Sequence, residues 1–179
     1  EPEFQGREND DADEGEIQRG PIHMMWPRGV KGYRAVKVQK PKVVDRRWTN
    51  RLIRTARESN DRPDVREVCV DELGNLCDVD PGVPKFLLDT LRTDHDPKVR
   101  SAAAWAVSDM ASADPARRAL LRALAGDKSV SVRADCAMSL AKGAASDESL
   151  REALKQNVLD AREHSEVRSG AVYGLRRCL

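Results

Sequence analysis

The stretch "VRSAAAWAVSDM", Val99–Met110, opens with small residues and then places a tryptophan, Trp105, among them. Its beginning recurs three times, as "VREVCVDEL" (Val65–Leu73), "VRADCAMSL" (Val132–Leu140) and "VRSGAVYGL" (Val167–Leu175). The Val-Arg pairs stand at 65–66, 99–100, 132–133 and 167–168, at spacings of 34, 33 and 35 residues. A period of that length marks stacked supersecondary units. The apolar residues keep fixed offsets from each Val. Cys69, Ala103, Cys136 and Ala171 lie four on, Val70, Ala104, Ala137 and Val172 five on, and Leu73, Val107, Leu140 and Leu175 eight on. At about 100° per residue these offsets share one face of a helix.

Upstream of each Val lies a turn: "SNDRPD", "TDHDPK", "GDKSVS" and "REHSE". Upstream of the turn lies a second apolar-periodic segment. Leu91, Leu124 and Leu159 stand eight residues before their Val, with Leu87 and Leu120 a turn earlier in the first two. The first unit has "WTNRLIRTARES", which puts Trp48, Leu52, Ile53 and Ala56 on one stripe. Each unit therefore reads as helix A, a short turn and helix B. Pro63 and Pro97 sit where the second helix starts, a place where a missing N–H costs nothing. Asp80-Pro81 and Asp114-Pro115 punctuate the way to the next unit.

This pattern resembles the HEAT repeat family, especially its short bacterial-type variant. The residues that carry the likeness are the turn Asp94-His95-Asp96-Pro97, the four Val-Arg pairs and the small residues after them, over about residues 46–179. The resemblance implies an all-α fold, an α-solenoid of four HEAT-like helix-turn-helix repeats, which an extended N-terminal arm, read below from its composition, precedes. It also implies that the Arg after each Val bonds to acidic turn groups of its own or a neighbouring unit, Arg100 and Arg133 with Asp94 or Asp127. Asn60 in the first unit and Arg162 in the last replace that aspartate, so the ladder is expected to weaken at both ends.

A two-helix unit cannot bury both faces alone, and three or more must stack for stability. The expected units are about 46–79, 80–113, 114–147 and 148–179. End units should be polar on their outer side. The last one, stopping at "RRCL", is not clearly so, and either further chain or another subunit is expected to cover it. The chain opens on Glu1 rather than Met, with no signal-peptide pattern, so residue 1 is expected to be an internal or processed boundary.

The 179 residues carry a formal charge of +1, which hides an asymmetry. Residues 1–20 hold eight acids and two arginines, residues 21–60 hold eleven Lys/Arg and two acids, and residues 61–179 are close to balanced. The first segment has few apolar residues and reads as an acidic leader, disordered when free. Residues 21–45 read as a basic extended arm, because Pro and Gly break helices there and a lone strand would have nothing to pair with. The arm interleaves Trp26 and Tyr33 with Arg28, Lys31, Arg34, Lys37, Lys40 and Lys42. Arg47, Arg51 and Arg54 continue the charge on one face of the first helix. Two readings stay open. The lysines and arginines would neutralise phosphates while aromatics stack on bases. Alternatively Ile22, Met24, Met25 and Trp26 anchor the arm on a protein, the reading favoured by the lack of an RNA-binding module.

No run of 18 apolar residues is present, so no membrane span is expected. The cysteines at 69, 77, 136 and 178 form no CxxC pair and stand at no ligand spacing from His95 or His164, so neither a metal nor a cofactor is expected. They read as small buried hydrophobes of an intracellular, reducing compartment. The chain has no phosphate-binding glycine loop, no HExxH motif and no assignable nucleophile–base pair, and both histidines fall in turns, so no catalysis is expected. The expected role is a non-catalytic protein–protein interaction scaffold or adaptor, a subunit of a larger assembly. A nucleic-acid-associated subunit held by the arm and first helix is the alternative.

The binding residues follow from helix phase. Offset six points away from the core offsets and holds Asp71, Trp105, Met138 and Tyr173. Three successive units thus turn a large apolar or amphipathic side chain outward, flanked near Trp105 by the small Ser101, Ala102 and Ser108. Stacking would line them up along the concave helix-B face, a patch of the kind that marks interfaces unless the chain's own arm caps it.

Overall fold

The computed structural model describes residues 46–77 and 80–176. Among these residues the regular elements are eight α-helices and a single 3-10 turn, with no strand. They pair as α1 (Arg46–Glu58) with α2 (Pro63–Gly74), α3 (Gly82–Thr93) with α4 (Pro97–Ala106), α5 (Asp114–Gly126) with α6 (Val130–Ala144), and α7 (Glu148–Leu159) with α8 (Ser165–Arg176). The odd-numbered helices are the A members and the even-numbered helices the B members. The B helices pack in succession, α2 on α4, α4 on α6 and α6 on α8, and in the A row α3 packs on α5. This is the α-solenoid that the repeat spacing predicts.

Local chemistry starts the helices where the period requires. Pro63 and Pro97 open α2 and α4. The Asp96 carboxylate accepts from the Lys98 amide at 2.8 Å and caps α4. Asp147 accepts from the amides of Ser149 and Leu150 and caps α7. Each such cap contributes roughly 1 kcal/mol. Helix α4 is shorter than its sequence pattern: it ends at Ala106, and a 3-10 turn over Ser108–Met110 follows. Val107, the eighth residue after Val99, is still fully buried although it stands outside the helix.

Small residues let the B helices approach closely. A β-carbon added at Gly170 would lie 2.8 Å from the Ala134 carbonyl oxygen, and one at Gly74 would lie 2.9 Å from the Ala106 β-carbon. The core between the rows is aliphatic and continuous, with Leu73, Leu87, Leu120, Leu140 and Leu154 all fully buried. Burying each such side chain is worth roughly 1.5–3 kcal/mol.

Three expected core positions are not core. On α1 the buried stripe is Thr49, Leu52 and Ala56, while Trp48 stands 49% exposed. The stripe starts one residue later than the apolar reading of "WTNRLIRTARES", since no unit among the described residues packs ahead of α1 to bury an indole there. In the last unit Leu159 is 73% exposed, whereas Leu91 and Leu124 in the same slot are 2% exposed. Val172 is 51% exposed, whereas Val70, Ala104 and Ala137 are fully buried. Both slots face the next unit, and among the described residues the fourth unit has none.

Candidate interaction surface

The stripe at offset six is built by the stacking of α4, α6 and α8. Trp105 and Met138 are partly buried and Tyr173 is 46% exposed. Asp71 takes the slot in the first unit and is also partly buried. Polar links between units border the stripe. One turn before it, Ser101 Oγ donates to the Asp135 carboxylate. One turn after it, Lys142 Nζ donates to Ser108 Oγ and to Asp109, both at 2.8 Å. These links tie α6 to α4 and its following turn on both sides of Trp105 and Met138. Ala102 and Ser108 do not flank the ring as surface residues; they are buried in the packing of neighbouring units.

The arginine ladder runs along the turns. Arg66 donates from Nε and Nη2 to Asp94 at 2.9 and 3.0 Å, Arg100 to Asp127 at 2.8 and 2.8 Å, and Arg133 to Glu163 at 3.1 and 2.8 Å. The carboxylate always belongs to the following unit. The third nitrogen, Nη1, turns back to carbonyls of its own turn: Ser59 and Asn60 for Arg66, Asp94 and His95 for Arg100, and Asp127 for Arg133. Asp94 and Asp127 also accept the amides of Asp96 and Ser129, so one carboxylate folds its turn and receives the previous unit's arginine. Burial pushes the Asp127 carboxyl up, but the Arg100 hydrogen bond, the Ser129 amide and the charges of Arg100 and Arg133 outweigh it and hold it below its usual range. The Arg133 hydrogen bond likewise holds Glu163 down against its burial. The expected weakening at the first unit does not occur. Arg66 is fully bonded because its partner comes from the second unit, so Asn60 costs it nothing. The fourth unit does weaken: Arg168 Nε finds the Val158 carbonyl at 3.0 Å in place of a carboxylate.

On α1, Arg47, Arg51 and Arg54 are all exposed, and Arg54 pairs with Glu58 at 2.7 Å. Met24, Met25, Trp26, Arg28, Lys31, Arg34, Lys37, Lys40 and Lys42 lie outside the described residues. Of the two histidines in turns, His95 has a role that sequence reading missed: its Nε2 lies 3.0 Å from Arg66 Nη2, beside the ladder. Among the described residues no group of three or more His, Cys, Asp or Glu is placed to hold a metal ion, and no helix is long and apolar enough to cross a membrane. Cys69 and Cys136 are buried thiols on α2 and α6, and burial raises the pKa of both.

Compared with known proteins, residues 84–176 match a family model of HEAT repeats. No curated protein and no solved structure gives a match.

Proposed function

Because the chain belongs to the HEAT-repeat family, a family of protein-interaction scaffolds, we propose that it is a non-catalytic scaffold or adaptor subunit. Its partner docks on the face that carries Trp105, Met138 and Tyr173, with the N-terminal arm as a second point of attachment. The observation that supports this reading is the slot itself. In three successive units the position opposite the core holds Trp, Met or Tyr, partly buried or exposed, and hydrogen bonds between the second and third units flank Trp105 and Met138. Trp and Tyr are favoured as interface anchors because they bring large contact area at low entropic cost. The test is Trp105→Ala, alone and with Tyr173→Ala. Partner binding should fall by about 2 kcal/mol or more, as for an interface hot spot, while the free domain melts almost unchanged. Loss of folding stability with binding intact would place Trp105 in the packing and the partner elsewhere.

The exposed arginines of α1 favour a second reading, a nucleic-acid-associated subunit held by the arm and first helix. Salt separates the two, since phosphate binding weakens steeply with salt and an apolar protein contact does not. Arg47, Arg51 and Arg54 replaced by Gln should leave stability within about 0.5 kcal/mol per site. If the triple variant still binds nucleic acid with an unchanged salt slope, that second reading fails.

A further inference from the structure

All the large exposed hydrophobic residues among the described residues belong to the first or last unit: Trp48 and Val68, then Leu159, Val172 and Tyr173. The internal junctions show what two of these positions face. Gly170, three after its Val, meets Ala134, two after the Val of the preceding unit. Gly174, seven after, meets Ala137 and Ala141, five and nine after in the preceding unit. Offsets three and seven therefore look back and offsets five and nine look forward. Val68 and Glu72 are the backward-looking residues of the first unit, and Val172 and Arg176 the forward-looking residues of the last. All four are exposed.

The ladder continues the same logic. Arg168 sits where Arg66, Arg100 and Arg133 each grip a carboxylate of the following turn, yet among the described residues its side chain hydrogen-bonds the Val158 carbonyl alone, with the Asp160 charge of its own unit nearby. In the first unit Asp61 stands four before its Val, the offset from which Glu163 receives Arg133. Asp61 is exposed, and its carboxylate makes no hydrogen bond or ion pair among the described residues. One end thus offers a valine and two arginines, and the other a valine and two acids, at the offsets that join units inside the chain.

We propose that the two end faces are made for each other and that the protein associates head to tail. The last unit of one copy stacks on the first unit of a second copy, with Arg168 on Asp61, Arg176 and Val172 beside Glu72, and Val68 against Ser169, as the offsets meet inside the chain. The contact is heterologous and leaves one of each face free, so it propagates rather than stopping at a dimer. The junction is looser than those inside the chain. Arg176 and Glu72 stand where Gly74 meets Ala106 and Ala141 meets Gly174, so the B helices cannot approach as closely. Association is therefore concentration-dependent and weakened by salt.

The test is sedimentation velocity of the full chain over a wide concentration range, with charge reversals at the proposed pair. Wild type should form a series of species growing with concentration. Asp61→Arg places two arginines across the junction and should weaken association at least about tenfold, and Arg168→Asp should do the same with two acids. The double variant restores an opposite pair with the signs exchanged and should return to within about threefold of wild type. Mixing the two single variants should restore a propagating assembly in which the two alternate, because each last face is complementary to the first face of the other variant and repels that of its own kind. Asp61 makes no hydrogen bond among the described residues, although its charge favours the Arg66 guanidinium; Asp61→Asn, which removes that charge without the repulsion across the junction, should weaken association less than Asp61→Arg, and circular dichroism melts report folding for each variant. A wild type that stays monomeric throughout, or oligomers that ignore the Asp61 reversal, would overturn the proposal and mean that other chain or another partner covers these faces.

Discussion

The middle of the solenoid and its last unit carry the same residues in the same slots and treat them differently. Leu124 is buried and Leu159 exposed; Ala137 is buried and Val172 exposed. Arg100 grips a carboxylate with two nitrogens and Arg168 reaches one carbonyl. The repeat sets the residue type at a slot, but a neighbouring unit decides what that residue contributes. Stability in this fold belongs to junctions rather than to units.

Truncating one slot in both places should give the largest difference. Leu124→Ala should cost about 2–5 kcal/mol in denaturant unfolding, as for a buried leucine whose cavity cannot fully collapse. Leu159→Ala, at low protein concentration, should stay within about 0.5 kcal/mol. Equal losses would mean that Leu159 is covered in solution. The ladder gives the next contrast. Arg100 and Asp127 side chains are only 13% and 10% exposed, so removing the guanidinium strands a nearly buried carboxylate. Arg100→Ala should cost about 3 kcal/mol. Arg168→Ala loses one bond to a carbonyl and should cost about 1 kcal/mol or less by the same unfolding measurement.

Acid tests the ladder as a whole. Asp127 and Glu163 titrate below their ordinary values in the folded chain. Asp147 is lowered to about 2 by hydrogen bonds from Ser149 and then Arg117, with further help from the Leu150 and Ser149 amides. Folded values below unfolded ones mean that these groups contribute fully above about pH 5, and that the contribution is lost as pH falls through the unfolded and then the folded values. The melting temperature should therefore hold steady through neutral pH and decline below about pH 5. In Arg100→Ala the decline should be shallower, because Asp127 has lost its chief hydrogen-bond donor.

The contrast smallest in energy uses the thiols. Cys69 and Cys136 occupy one slot in the first and third units, at 5% and 0% exposure, and burial raises the pKa of both. Cys136 has stacked units on both sides, so its alkylation should require global unfolding, whereas Cys69 should react sooner through opening of the first unit. Peptide mapping after timed iodoacetamide exposure reads the order directly.

Periodicity made the helices, the turns and the apolar face legible, because helix phase is a local property. It could not reveal whether a slot has a neighbour: Leu91 and Leu159 look alike in sequence, and their difference lies a whole unit away. Nor could it choose the direction of the ladder, since Asp94 and Asp127 are both within plausible reach of Arg100 until the tilt between units is known. Trp48 departs from the apolar pattern for a related reason. A large apolar side chain next to a threonine invites the wrong phase when no preceding unit fixes it. At the candidate surface, the outward phase of offset six followed from the core offsets. The burial of Ala102 and Ser108 depends on how closely α4 approaches its neighbours, which one helix's sequence does not encode.

The forward reach of every rung also gives the molecule a grammar. Each arginine recognises an acid at one of two adjacent positions in the next turn, whichever unit that turn belongs to. Excising residues 114–147 as one piece would leave Arg100 facing Glu163 in place of Asp127, with the ladder still closed and the core slots still in phase. A cut of half that length would put helix A where helix B belongs and leave a guanidinium facing aliphatic carbon. Length can change here only in whole words. Shortening or lengthening by one unit is a single event that keeps each junction readable by its neighbours.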